Sequence, residues 1–376
     1  MRHVLNADHE LFRDQVRRFV DEEIVPHHAQ WERDGIVPRS LWLKAGASGF
    51  LCPMLPQEYG GAGGDFGFSA VVVEELARVN ASAIGFTLHS DVAAPYIQAY
   101  GNEESKRHWL PLMASGERIG ALALTEPGIG SDLKALRCSA RRDGDHYVLN
   151  GSKTFITNGQ NSGIVIVAAK TDPAAGRKGI SLILVEEGTP GFSKGRNLQK
   201  IGLHGQDTSE LFFEEVSVPV VNRLGEENAG FSYLMHQLAQ ERLVIGIRAA
   251  ASIEAMLQRT ITYTRERKVF GQTVFDFQNS RFKLASAKAE AAMLRSFVDE
   301  CLAAHLSGKL TPERAAMVKL VAAEMQGRLL DEFVQLHGGY GFMSEYVIGQ
   351  AWVDARVMRI YGGSSEIMKE IIARTL

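Results

Sequence analysis

In "LMHQLAQERLVIGIRAAAS" (234–252), Leu234, Leu238, Glu241, Ile245 and Ala249 recur in steps of three and four. That spacing puts them on one stripe of a helix. A carboxylate inside an apolar stripe is paired, protonated or functional, because an unpartnered buried charge is expensive. Arg242 or Arg248 offers the pairing. The alternative is a carboxyl whose proton affinity is raised by desolvation until it serves as a general base near neutral pH. A second carboxylate stands in "RIYGGSSEIMKEIIAR" (359–374). There Ser364 or Ser365 caps a helix with the apolar face Ile367, Ile371 and Ile372, and Gly362 and Gly363 let a ligand come close to backbone N–H groups. Glu366 falls in the first turn, where the helix N-terminus favours the ionised, weakly basic form.

Other stretches carry weaker chemistry. "LALTEPGIGSDL" (122–133) exposes backbone at Gly128 and Gly130 beside the hydroxyls of Thr125 and Ser131. It is either a ligand loop or a connection between domains. "TRERKVFGQTVFDFQ" (264–278) places Arg265, Arg267 and Lys268 at a helix end, where they complement the dipole or clamp a pyrophosphate. In "QLHGGYGF" (335–342), His337 beside Gly338 and Gly339 marks a C-cap or a backbone approach site. His27, His28 and the other histidines lack metal-ligand spacing, so no metal site is expected. "PQEYGGAGGDFG" has no complete G-x-G-x-x-G and reads as a connection.

The elements that must position these residues fall into three segments, as expected for 376 residues. Residues 1–118 read as helical, with apolar positions at helical spacing in "ELFRDQVRRFVDEEIV" and "SAVVVEELARV". Residues 119–222 read as β, with turn dipeptides Asp143-Gly144, Asn150-Gly151 and Asn158-Gly159 between segments rich in β-formers. Residues 223–376 return to long helices: Thr311-Pro312 opens one, Gly338-Gly339 closes it, and an antiparallel four-helix bundle is expected. The fold class is α+β and multidomain, without the strand–helix alternation of a Rossmann sheet. A net charge of −3 predicts no general attraction to nucleic acid. No apolar run is long enough for a membrane span, and the N-terminus lacks the apolar core of a secretory leader. Three widely spaced cysteines argue against a disulfide framework. The expected location is the cytoplasm.

Five strings in register, "LTEPGIGSD", "NGSKTFITNG", "RERKVFGQ", "QLHGGYGF" and "IYGGSSEI", resemble the acyl-CoA dehydrogenase family over essentially the whole chain. The resemblance implies a helical N-terminal domain, a β-barrel-like middle domain and a helical C-terminal domain, with FAD bound between the last two in a homotetramer built as a dimer of dimers. It implies that Leu122, Leu124, Thr125 and Ser131 surround the flavin, Ser131 also lying near the thioester. Phe155 and Thr157 match the strand packed on the isoalloxazine ring. Arg267, Gln278, Gln335, Gly338 and Gly339 match contacts to the pyrophosphate and adenosine part of a neighbouring subunit's FAD, and Ser364 and Glu366 match further cofactor contacts. Tyr361, Gly362 and Gly363 match the substrate side, while Arg177, Lys178, Ser232 and Arg242 match contacts to CoA or support for the base.

Many family members carry a glutamate directly after the tyrosine of the C-terminal stretch, and it takes the substrate's α-proton. Here that position is Gly362. A smaller subset, including the long-chain and isovaleryl-CoA enzymes, draws the base from a preceding helix, and the matching residue is Glu241 in "QERL". The implied reaction converts a saturated acyl-CoA to its trans-2-enoyl-CoA. Glu241 removes the α-proton, a hydride passes to flavin N5, and the N–H of Gly363 helps stabilise the thioester oxygen. Electrons then pass to an electron-transfer flavoprotein. A medium- to long-chain substrate is expected, with "TLHSDVAAPYIQAYG" near the cavity floor. A short branched substrate is the rival, and a flavin oxidase or monooxygenase or a non-catalytic assembly protein on the same scaffold stands further off.

Overall fold

The computed structural model describes residues 3–376. Six helices come first: α1 (Ala7–Phe19), α2 (Val25–Asp34), α3 (Arg39–Ala47), α4 (Phe66–Arg78), α5 (Ala94–Tyr100) and α6 (Glu103–Ala114). Asn6 caps α1 by accepting from the His9 N–H at 3.0 Å, and His9 Nδ1 accepts in return from the Asn6 N–H. The glycine-rich stretch before α4 is a connection, as expected, and Asp65 at its end caps α4. Helix α4 is buried along almost its whole length and forms the centre of this layer. A π-helical turn, Leu88–Ala93, runs directly into α5.

The middle segment is a sheet of β1 (Ile119–Ala123), β2 (Ser139–Asp143), β3 (His146–Thr157), β4 (Ser162–Lys170), β5 (Ile180–Glu186), β6 (Phe192–Asn197), β7 (Thr208–Pro219) and β8 (Arg223–Leu224). The strand order is β6-β7-β3-β2-β4-β5-β8, and β1 joins β4 in parallel. Asp143-Gly144 and Asn158-Gly159 are turns, as expected, but Asn150-Gly151 lies inside β3. The register slips there instead of reversing. Asn150 exchanges two hydrogen bonds with Glu215 on β7, and a Cβ at Gly151 would sit 2.8 Å from Cys138 Cα. Close backbone approach and a bulge, not a reversal, use this glycine.

Helix α7 (Gly230–Glu266) has 37 residues and spans ~55 Å at the usual rise. A small hairpin, β9 (Lys268–Val269) and β10 (Gln272–Thr273), leads to α8 (Gln278–Leu306), α9 (Pro312–His337), α10 (Val347–Ala355) and α11 (Ser365–Ala373). Thr311 caps α9, Pro312 opens it, and Gly338 ends it at φ 61°. Ser364, not Ser365, caps α11, and Ser365 instead donates to Glu324 on α9. The face that α11 buries is centred on Ser365 and Met368, while Ile367, Ile371 and Ile372 stay half-buried.

Polar ties hold the segments together. Asp354 on α10 accepts from the Leu203 N–H at 2.6 Å and from the Asn80 side chain at 3.0 Å, so one buried carboxylate joins all three. Glu74 on α4 pairs with Arg13 on α1 and Arg295 on α8. Burial of such groups is tolerated because each is paired.

Candidate active site

Glu241 lies in the first half of α7. Leu234, Ile245 and Ala249 on its stripe are buried, and Leu238 is half-buried. Its Oε1 accepts from the Tyr96 O–H at 3.0 Å, and Tyr96 on α5 is itself fully buried. No ion pair forms between Glu241 and Arg242 or Arg248 among the described residues, so the simple pairing explanation does not hold. Desolvation raises the carboxyl to about 7 against lesser opposing effects from the Tyr96 hydrogen bond and the Arg242 charge. The side chain keeps partial solvent access while protein atoms crowd it on all sides, as at the bottom of a crevice. A carboxyl poised this way is half-ionised near neutral pH and basic enough to accept a proton from carbon.

The glycine turn before α11 is gripped by two cations. Arg242 Nε donates to the Gly362 carbonyl at 3.5 Å, and Lys319 Nζ on α9 donates to the Gly363 carbonyl at 2.6 Å. Both glycines hold positive φ, 64° and 93°. Added Cβ atoms would meet Ile245 Cδ1 and Met368 Cε, each at 2.7 Å. Only glycine fits this turn without strain. The Gly363 N–H donates to no protein acceptor among the described residues. Desolvation, with the nearby Arg242 charge, lowers Lys319 to about 8. Tyr361 is half-buried and directs its O–H to Met358 Sδ at 2.8 Å.

The loop 124–133 is stapled rather than loose. Buried Glu126 accepts from the Arg137 and Cys138 N–H groups, both at 2.8 Å, and from Lys153 Nζ at 2.9 Å. Lys153 also reaches the Leu124 carbonyl at 3.1 Å, and the Thr154 N–H donates to Thr125 O at 2.9 Å. Strand alternation on β1 buries Ala121 and Ala123 and turns Leu122 to the half-buried face, with Leu124 just beyond. Thr125 and Thr157 are half-buried and Ser131 is exposed. Phe155 stands at φ 59°, where the β3–β7 register slips, and is 67 % exposed.

FAD, expected from the sequence, needs an aromatic or apolar wall for its rings and free cations or open backbone for its diphosphate. An exposed Phe155 beside a stapled loop supplies the first. Arg267, for which the resemblance implies the FAD of a neighbouring subunit, supplies the second. It lies over the Tyr340 ring at 5.2 Å, and no carboxylate pairs with it among the described residues. Stacking of Tyr263 on His337 brings the ends of α7 and α9 together there, so Arg267, Gln335, Gly338 and Gly339 form one exposed cluster. A Cβ at Gly338 or Gly339 would meet nothing within 4 Å. Gln278 is exposed at the start of α8, and Ser364 and exposed Glu366 sit at the start of α11. The residues present fit the group. A separate rim gathers Arg177, over the Phe231 ring at 5.8 Å, with exposed Lys178 and Ser232.

Sequence reading missed Tyr96, Lys319 and the Glu126–Lys153 pair. Lys319 was findable, since Ala315, Val318, Ala322 and Ala323 set it in a buried stripe like that of Glu241. Tyr96 gives no such local signal, because its partner lies 145 residues away. No group of residues able to hold a metal ion occurs among the described residues.

Three family models match successive segments: acyl-CoA dehydrogenase, N-terminal domain over residues 6–117, middle domain over 121–216 and C-terminal domain over 228–376. A long-chain specific acyl-CoA dehydrogenase from mitochondria of Sus scrofa is 50% identical, covering 100% of this chain and 88% of the relative. A mitochondrial isovaleryl-CoA dehydrogenase of Oryza sativa is 36% identical over 98% of this chain and 90% of its own length. The crystal structure of an acyl-CoA dehydrogenase from Geobacillus kaustophilus superposes with a TM-score of 0.98 at 47% identity, covering 100% of this chain and 99% of that one. The chain belongs to the acyl-CoA dehydrogenase family of FAD-dependent oxidoreductases.

Proposed function

We propose that this enzyme oxidises medium- to long-chain saturated acyl-CoA to trans-2-enoyl-CoA, with Glu241 as the base. The observation that carries the assignment is a desolvated carboxyl at about 7 that forms no ion pair among the described residues, in the helix where an ordinary glutamate would be paired or exposed. Its proton affinity approaches that of a thioester α-carbon once the carbonyl oxygen is stabilised. The unpaired N–H of Gly363 is the donor we assign to that oxygen. Arg242 on the Gly362 carbonyl polarises the same peptide, and Lys319 fixes the turn from the other side. Arg177, Lys178 and Ser232 form the rim we assign to the anionic CoA portion. FAD, when bound against Phe155, Thr157 and the 122–131 loop, supplies the acceptor for the β-hydride.

The 50% identity to the long-chain specific relative, against 36% to the isovaleryl relative, supports the longer substrate. The proposed setting is fatty-acid β-oxidation with an electron-transfer flavoprotein as acceptor. A homotetramer is supported by a hollow of about 880 Å³ lined in part by Ile201, Val321 and Trp352, large apolar side chains exposed on the isolated chain. The cysteines are free and buried, which supports a reducing compartment, and the cytoplasm is the location we propose. Anaerobic titration with acyl-CoA of graded length, following flavin bleaching, tests the substrate. Strongest bleaching by long straight chains is expected, and preference for isovaleryl-CoA would overturn the long-chain reading.

A further inference from the structure

The base is held from outside its own helix. Tyr96, 0 % exposed, donates to Glu241 Oε1 at 3.0 Å. The preceding residue, Gln240, donates through Nε2 to the Asp91 carbonyl at 2.7 Å and accepts from His305 Nε2 at 3.0 Å. Asp91 lies in the π-helical turn that feeds α5, and Pro95, four residues on, has no N–H to offer its carbonyl. Neighbouring residues on a helix point ~100° apart. Two adjacent positions of α7 tied to one segment, 91–96, therefore fix the helix in both rotation and height. Glu241 Oε2, by contrast, accepts no hydrogen bond from the described residues, and it is not among the sealed, partnerless atoms.

We infer that Tyr96 is a positioning residue for Glu241: its O–H occupies Oε1, fixes the carboxylate's orientation and leaves Oε2 as the oxygen that receives the substrate's α-proton. The inference rests on the reading of Glu241 as the base. In the step concerned, the Cα–H bond breaks and an O–H bond forms at Oε2. The electron pair stays with the substrate and its charge moves toward the thioester oxygen. Among the described residues, the groups acting on Glu241 are Tyr96 from α5 and Arg242 on α7. Lys319 from α9 acts on Arg242, Tyr100 acts on Tyr96, and Tyr361 faces Arg248. Tyr96 stays a neutral donor throughout the working range, because burial and the neighbouring carboxylate push its phenol well above 10.

The test compares pH profiles of kcat/KM for the FAD-loaded parent, Tyr96→Phe and a protein carrying 3-fluorotyrosine at position 96. Losing a hydrogen bond to the ionised form raises a carboxyl, and strengthening it does the opposite. In Tyr96→Phe the acid limb should move to higher pH, with a rate at pH 6.5 reduced ~10-fold and KM little changed. The fluorinated protein, which keeps the shape, should move the limb to lower pH even if the phenylalanine variant fails to fold. A purely structural role would change thermal stability or flavin content without moving either limb, and that result overturns the inference. If Glu241→Gln is inactive but neither limb moves, the positioning role alone falls. If Glu241→Gln keeps full rate, the base assignment falls and takes this inference with it.

Discussion

Glu241 lies about three turns into α7, desolvated and raised to about 7, whereas Glu366 lies exposed in the first turn of α11, lowered by its own backbone N–H and the Ser364 hydroxyl. The two carboxylates differ in nothing but surroundings. A helix interior facing a crevice removes water from Glu241 and replaces it with one phenol. A helix N-terminus offers Glu366 donors that stabilise its charge. Sequence distance to the glycine turn is therefore a poor guide to which acid is basic. The intervening Gly362 leaves space where a side chain would press on Ile245, and the cations on the turn's carbonyls hold its backbone rather than neutralise a nearby acid.

The comparison breaks most visibly at Glu241. Glu241→Gln should lower kcat by ~10³–10⁴-fold while flavin content and acyl-CoA binding persist, read by steady-state assay and ligand titration. Next in size is Gly363→Ala, where a Cβ at φ 93° meets Met368 and displaces the N–H. A loss of ~10²-fold in kcat is expected, with KM changed less. Lys319→Met should cost ~10-fold and also reshape the pH profile. In the parent, rate should rise as Glu241 ionises through about 7 and fall as Lys319 loses its proton through about 8, so the variant should keep the first limb and lose the second. Glu366→Gln should have the smallest effect. Turnover should stay within ~10-fold while FAD is held several-fold more weakly, measured by flavin release.

Glu241 and Lys319 each cost stability while charged, and the two costs depend on pH in opposite directions. The Glu241 carboxyl goes from 4.5 unfolded to about 7 folded, so its neutral form is favoured by folding and stability declines as pH rises across that interval. The Lys319 ammonium goes from 10.5 to about 8, so stability recovers as pH rises from about 8 toward 10.5. Thermal melts of the FAD-loaded parent and of Glu241→Gln across pH 4.5–7 should show the parent's decline flattened in the variant.

Much of this molecule was legible because the signals were local. Thr311-Pro312 and Gly338 bound α9, Asp143-Gly144 turns a hairpin, and the apolar stripe of α7 exposes Glu241 as anomalous. The misreading of Asn150-Gly151 came from applying a turn rule where β7 lies alongside and a bulge satisfies the glycine. Lys319 was equally legible by the stripe rule. What the sequence could not show is pairing between distant segments. Tyr96 with Glu241, Asp91 with Gln240, and Glu126 with Lys153 each join elements that only the fold makes neighbours.

Exchange of the α-proton isolates the step that defines the account. An acyl-CoA that binds but cannot give up a β-hydride, such as a 3-thia-acyl-CoA, is incubated with FAD-loaded enzyme in D2O, and deuterium at C2 is followed by mass spectrometry. Exchange by the parent and Glu366→Gln, with none above background in Glu241→Gln, is the predicted result. Undiminished exchange in Glu241→Gln would show that another group takes the proton.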